Sequence, residues 1–414
     1  MQQGVSTSDQ RPLSAGGGAT DQQGRSLAVD HLRSAVVLGL VLFHTARLFD
    51  GEAWHIKDAG RYLAADRLVA LFNIAQMPLL FLLAGFAAFY SLSARPPGRF
   101  IRERVVRLFL RWSSASCCWC RRRSMSSASP WGQGGRMSPI DFSGGFLAFY
   151  PGFFSCCYPA ANFSWHHLWF LIYLFAYSLV LLPAFLLLRG ANGRRFCERA
   201  GTWLGRGGRP LLLGLPILVV EIWLRPRFPS SHALIDDFAN HAHYLWLMLA
   251  GWLFAASPAL SGAVARRWRG WLLAAMLLIL AVLVARELGV AGAWRRPLRA
   301  LAEWAALVGL LAWASVRLDR PLPFLTGFGR LSFPFYMMHQ TVIVLLGFAL
   351  LGWSEEPLVK FAVIALSTLV VSIAFASLCL RLPVMGLLFG AKPNARASLG
   401  KKRAGWVDAG FRTR

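Results

Sequence analysis

A chain of 414 residues with 56% apolar and only 15% charged side chains is too poor in charge for a soluble globular protein, in which about a quarter of residues are charged. Its formal net charge of +25 would suit a nucleic-acid partner. That reading is excluded because the arginines stand in short runs between long apolar segments, the pattern of cytoplasmic loops facing anionic lipid headgroups.

Residues 1–24 are rich in Gly, Ser and Gln and read as a disordered cytoplasmic tail with no cleavable signal. The organising stretch follows: LAVDHLRSAVVLGLVLFHTARLF, Leu27–Phe49, is long enough to cross a bilayer core, which takes roughly 20 residues. Its start carries Asp30, His31 and Arg33, and its end His44 and Arg47. Ionisable groups in a membrane helix are expensive, so these are functional candidates by default. On a helix, Arg33 and His44 return to nearly the same face about 16 Å apart along the axis, with Asp30 one turn below Arg33 and His31 turned away.

Further apolar segments fall at 68–91, 167–188, 210–224, 241–257, 271–286, 301–316, 331–351 and 358–380. Basic runs at Arg95–Arg111, Arg189–Arg209, Arg266–Arg269 and Arg317–Arg330, with the tail 386–414, are assigned to the cytoplasm, which puts both termini inside. The loop with Arg295, Arg296 and Arg299 is the exception to the alternation. Two basic runs on one side with a single strong span between them require another crossing near 105–130. There the chain has a run of Ser, Cys and Arg without helical period, including Arg121, Arg122 and Arg123. Residues 113–138 therefore read as a defective third span, as a local reading-frame error would produce, and three arginines together should defeat insertion. Phe142–Tyr158 is apolar but broken by Gly and Pro and is assigned to the outer interface or to a poor substitute for the missing span. Cys117 and Cys120 form a CxxC inside the anomalous stretch and carry no redox reading, and the vicinal Cys156–Cys157 is read as inert.

Several polar residues converge at the level of His44: Asn73 and Gln76 on the second span, His166 and His167 in WHHLWF, Glu221 before Arg225, and Asp236, Asp237, His241 and His243 around the next span. Imidazoles near carboxylates are the material of general acid–base chemistry. Ordinary interfacial solvation explains the same residues without chemistry. His339, in FYMMHQT, sits within a span, where an interhelical hydrogen bond accounts for it as well as catalysis does. The rings of His166 and His167 diverge by about 100°, which argues against a shared metal, and no metal-binding motif is present. At the other end Arg104 and Arg107 share a helix face and suit phosphate, with topology anchoring as the alternative.

The Arg33–His44 pair, the FLLAGF end of the second span, Arg104–Val105–Val106–Arg107, HHLWFL and FYMMHQ together resemble the membrane-bound acyltransferase family 3. The first helix and the WHIK stretch look most like the branch containing the periplasmic-glucan succinyltransferases. The resemblance implies an all-α, polytopic helix bundle of about ten membrane helices over residues 25–385, in a bacterial inner membrane. It implies O-acyl transfer, of acetyl or succinyl, from cytoplasmic acyl-CoA as co-substrate to a hydroxyl of a cell-envelope glycan, with no permanently bound cofactor and no metal. It places His44 and Arg33 in the catalytic centre and Arg104 and Arg107 on the donor. From the polar pattern, Glu221 is expected as the partner of a histidine, and Asn73, His166, His167 and His339 as substrate contacts. A departure is Ala84, where the family usually has Ser before the Gly. The alternatives are a proton-coupled secondary transporter of a small acid or sugar, for which intramembrane His, Arg and Glu would serve equally, and an inactive remnant of the acyltransferase.

Overall fold

The computed structural model describes residues 20–21, 25–58, 60–109, 166–350 and 352–390. The defective span expected at 113–138, the stretch 142–158, and nearly all of the two tails fall outside the described residues. Apart from two paired two-residue strands before the first helix, the described chain is helical.

The first helix, α1, is Leu27–Ala46, and its N-cap Ser26 accepts from the Val29 N–H. α2, Leu63–Ala94, is followed by the short α3, Pro97–Arg104, and a π turn, Val105–Phe109. A 3₁₀ turn, His166–Leu168, leads into α4, Trp169–Val180, and α5, Leu182–Arg189. α6 is Ala191–Leu204. The segment Arg209–Leu224 is a composite of a 3₁₀ turn, α7 (Leu215–Val219) and a π turn. Then come α8 (Phe238–Ala256), α9 (Pro258–Arg266), α10 (Trp268–Glu287), α11 (Gly292–Arg317), α12 (Pro323–Ala349), α13 (Pro357–Arg381) and α14 (Pro383–Phe389).

Among the described residues six helices are long and apolar enough to cross a membrane, and up to nine spans result if each of three bent pairs counts as one. The bends have local causes. Pro183 in the first turn of α5 follows a 50° bend at Leu181, and Ser257–Pro258 turns the chain by 94° between α8 and α9, with Ser257 capping the Leu260 N–H. α10 is apolar on all sides yet has only Ala275 buried, so its solvent must be lipid.

The segments anticipated from hydropathy are present, but their ends move. The arginine-bearing 295–299 stretch, which broke the alternation of basic loops, belongs to the first turns of α11 rather than to a loop. Arginines on long stems tolerate that position because the charged head can leave the apolar layer. The basic run 189–209 likewise is largely helix, α6.

α1 packs on α2 and α12, α8 on α2, α10 on α11, and α12 on α13. The FLLAGF motif acquires a physical meaning in the second of these contacts. A Cβ on Gly85 of α2 would lie 2.0 Å from the Met248 carbonyl oxygen of α8, and one on Gly251 of α8 would lie 1.9 Å from the Leu82 carbonyl oxygen of α2. The two helices cross backbone to backbone through a reciprocal glycine pair, which no other residue permits.

Candidate active site

Three histidines from distant parts of the chain meet at the C-terminal end of α1. The His44 ring centroid is 5.2 Å from that of His339 on α12 and 6.2 Å from that of His167 in the 3₁₀ turn, and His167 and His339 are 5.1 Å apart. All three are buried. One backbone carbonyl organises two of them. The Tyr336 carbonyl accepts from His339 Nδ1–H at 2.7 Å and from His167 Nε2–H at 2.9 Å, while the Tyr336 hydroxyl donates to the His167 carbonyl at 2.5 Å. A carbonyl can only accept, so these contacts set both tautomers and leave Nε2 of His339 and Nδ1 of His167 as the remaining ring nitrogens. His44 also has an indole over it: Trp54, in the loop after α1, is 6.1 Å away with its plane tilted by 19°. Among the described residues no set of three His, Cys, Asp or Glu side chains is arranged to hold a metal ion.

The N-terminal end of α1 is cationic. Arg33 is half-exposed and pairs with Asp30 at 2.8 Å, the i,i+3 contact anticipated from the helix period. Arg104 and Arg107 stand beside it on α3 and the π turn. Glu103 pairs with Arg95 at 2.5 Å and lies 3.8 Å from Arg99 and 4.0 Å from Arg107. The Arg104 guanidinium lies over the Phe100 ring at 4.7 Å. Burial, with the Arg107 and Arg33 charges close by, pushes the Arg104 pKa down to about 10. Cations crowded in this way leave excess positive charge that an anion would relieve. His31, turned away from Arg33 as its position implies, is buried; its Nδ1–H donates to the Leu318 carbonyl at 2.9 Å and its Nε2 meets the Thr326 hydroxyl at 3.0 Å, a structural tie between α1 and the turn before α12.

Not every expected site residue joins these two clusters. Asn73 does not reach the histidines: it lies on an exposed face of α2, and its carbonyl accepts from Arg299 on α11 at 3.0 Å. Gln76 occupies the face of α2 that meets α1, and its amide approaches the Val36 carbonyl at 3.4 Å. His166 opens the 3₁₀ turn that carries His167. Glu221 does have a histidine nearby, but it is His243 rather than His44. Glu221 Oε1 is 3.1 Å from Arg225 and 4.0 Å from His243 Nδ1, and His243 Nε2 is 2.6 Å from Glu303 Oε1. Arg225 donates to Asn240 at 2.8 Å, Asn240 to Asp237 at 2.8 Å, and the Tyr173 hydroxyl to Asp237 at 2.7 Å. Glu221 is therefore a member of a buried network between α8, α11 and the π turn at Val220–Leu224, paired with Arg225. Sequence reasoning missed Glu303, although an acid two residues into the apolar 301–316 segment is as costly as the one that drew attention to His44. It also missed Tyr336, whose backbone carbonyl orients two of the imidazoles, a contribution that leaves no trace in residue type, and whose hydroxyl ties back to the His167 carbonyl.

The all-helical bundle with lipid-facing helices and a buried histidine cluster at one end of a membrane helix defines an integral-membrane enzyme. The chain belongs to the acyltransferase family 3: the family model described as an acyltransferase domain matches residues 26–377. It is a membrane acyltransferase. No curated protein and no solved structure matches it.

Proposed function

We propose that this enzyme moves an acyl group, acetyl or succinyl, from acyl-CoA on the cytoplasmic side of a bacterial inner membrane to a hydroxyl of a cell-envelope glycan on the outer side. The observation that carries the reading is the polarity of α1: a cationic cluster of Arg33, Arg104 and Arg107 at one end and His44, His167 and His339 at the other. The distribution of the basic runs supports an orientation with the cationic end inside, together with both termini. There the guanidiniums take the phosphates of CoA, whose forked geometry they match. The separation of Arg33 and His44, about 16 Å along the helix, is of the order of an extended pantetheine arm, so a donor anchored inside presents its thioester near the histidines.

In the transfer the acceptor oxygen forms the new C–O bond, the thioester C–S bond breaks, and the hydroxyl proton passes through the His44 imidazole to the departing CoA thiolate. His44 acts as general base or briefly carries the acyl group; a transient acyl-imidazole splits the same step in two. His167 and His339, oriented by the Tyr336 carbonyl, hold the substrate against His44. Burial of the cluster excludes the water that would otherwise hydrolyse the thioester. The test is acyl transfer by the purified full chain in nanodiscs, with acetyl-CoA and succinyl-CoA as donors and envelope glycan as acceptor. CoA release that requires both the acyl donor and His44 supports the reading; absence of any acyl-CoA-dependent product refutes the donor assignment.

A further inference from the structure

The loop from Arg47 to Tyr62 is longer than most connections between antiparallel helices, which take about 2–8 residues, and it is far from slack. Asp50, buried, accepts from Arg47 at 2.5 Å and from Lys57 at 2.6 Å. The Lys57 ammonium also donates to the backbone carbonyls of Arg47 and Asp50. The Asp58 N–H returns to the Leu48 carbonyl at 2.9 Å, the Tyr62 N–H to the Phe49 carbonyl at 2.9 Å, and Ile56 is buried beneath. The far side is pinned as well: Lys360 on α13 reaches the Asp58 carboxylate at 2.9 Å, and the Gly51 N–H donates to Asp66 on α2 at 3.0 Å.

Fixing so many side chains in a surface loop costs conformational entropy, and what the fixed loop delivers is one aromatic face. Trp54 is only partly buried and is nearly parallel to the His44 imidazole, with His55 against its ring at 5.2 Å. A centroid separation of 6.1 Å at 19° belongs to an offset arrangement in which the indole extends beyond the imidazole. A flat apolar face set beside a catalytic imidazole, with the His55 ring also against it, fits one class of acceptor. A pyranose presents axial C–H bonds on its face, which lie against an indole, and hydroxyls around its edge, which need polar partners. A linear alcohol or an amine would make no use of the face.

We infer that Trp54 is the acceptor platform of this enzyme, a specificity-determining residue on which a sugar ring of the acceptor stacks so that an edge hydroxyl meets His44. The inference rests on the reading that the acceptor is a glycan, and it assigns the part of the chain that recognises it. The competing role for the same side chain is a plug that keeps water from His44.

The experiment uses the full chain in nanodiscs with a β-glucan oligosaccharide as probe and Trp54→Phe and Trp54→Ala as variants, the first preserving an aromatic face that the second removes. Oligosaccharide binding is measured first without any acyl donor. Trp54→Ala should weaken it at least about tenfold, the scale of one aromatic contact, with Trp54→Phe between the two. With acetyl-CoA present, the same order should appear in the acceptor KM. Equal binding by the unsubstituted chain and Trp54→Ala overturns the platform, as does failure of the unsubstituted chain to bind the oligosaccharide. A rise in acceptor-independent CoA release in Trp54→Ala, with the acceptor KM unmoved, assigns the plug instead. Trp54-dependent binding without any acyl-CoA-dependent transfer leaves the platform standing and refutes the donor reading of the previous subsection.

Discussion

The bundle buries two polar clusters, and they are built from different materials. Around His243 the partners are carboxylates: Glu303 at 2.6 Å on one ring nitrogen, Glu221 at 4.0 Å from the other, and Arg225 against Glu221 at 3.1 Å. Around His44 the neighbours are rings, two more imidazoles and an indole, with a single carbonyl orienting two of the imidazoles. A buried network with an Arg–carboxylate ion pair holds helices in register, and removing one partner leaves a buried polar group uncompensated. A set of imidazoles oriented by a backbone carbonyl brings together the residue type most used in proton transfer. Both clusters are rich in the residue types of catalysis; they differ in that one joins three imidazoles and the other ties α8 to α11 through carboxylates.

The comparison can be broken at its strongest point. Replacing His44 by Ala should reduce acyl transfer by about 10²–10⁴, the range for removal of a general base, with normal yield of folded protein. A variant that retains near-normal turnover would remove His44 from the mechanism and with it the contrast.

Next in size is the reverse experiment. Glu303→Ala removes the carboxylate 2.6 Å from His243 Nε2 and leaves that buried nitrogen without its partner, which costs about 1–3 kcal/mol of stability. We expect a lowered thermal midpoint in detergent but unchanged turnover per folded molecule. A stable variant with lost turnover would place this network in the catalytic machinery.

The third test concerns the far end of α1. Arg104→Gln with Arg107→Gln should raise the acyl-CoA KM by roughly 10–100-fold while leaving the turnover at saturation little changed, because charge-assisted contacts to phosphate are lost without touching the histidines. If the two arginines only anchor topology, the acyl-CoA dependence will not move and membrane insertion will.

The smallest effect expected is on pH. His232, in the loop between Arg225 and Asp237 and packed on Trp169 at 4.3 Å, has its pKa lowered by burial, opposed by the Asp237 charge. A depressed imidazole pKa means that the unfolded chain takes up the proton first. The stability this residue contributes is therefore complete above the ordinary imidazole range and is lost as the pH falls through and below it. Thermal midpoints measured between neutral and mildly acidic pH should decline less in His232→Gln than in the unsubstituted chain; identical slopes would contradict the assignment.

By itself the sequence determined what depends on neighbours along the chain. Apolar runs long enough for a bilayer mark α1, α2, α10, α11, α12 and α13, since hydrophobic thickness and helical rise are local quantities. The same 3.6-residue period placed Asp30 beside Arg33 and turned His31 away. The motifs Arg33–His44, FLLAGF, Arg104–Arg107, HHLWFL and FYMMHQ were legible as a family, and the family is the one the chain belongs to. Helix ends were less legible, because hydropathy discounts the arginines of the first turns of α11 that a helix accommodates by extending their heads outward. Only the tertiary structure decided which polar residues meet. His44, His167 and His339 are separated by more than a hundred residues each, and Glu221 had several histidines within the same expected layer. The layer fixes depth but not azimuth, and azimuth around the bundle comes from packing: the glycine crossing of Gly85 and Gly251 sets α8 against α2, and α12 lies on α1 with His339 turned to His44. The loop that carries Trp54 is held mostly by local contacts, such as Arg47 and Lys57 on Asp50, but its tie to α13, Lys360 on Asp58, joins residues 302 positions apart and follows no period in the sequence.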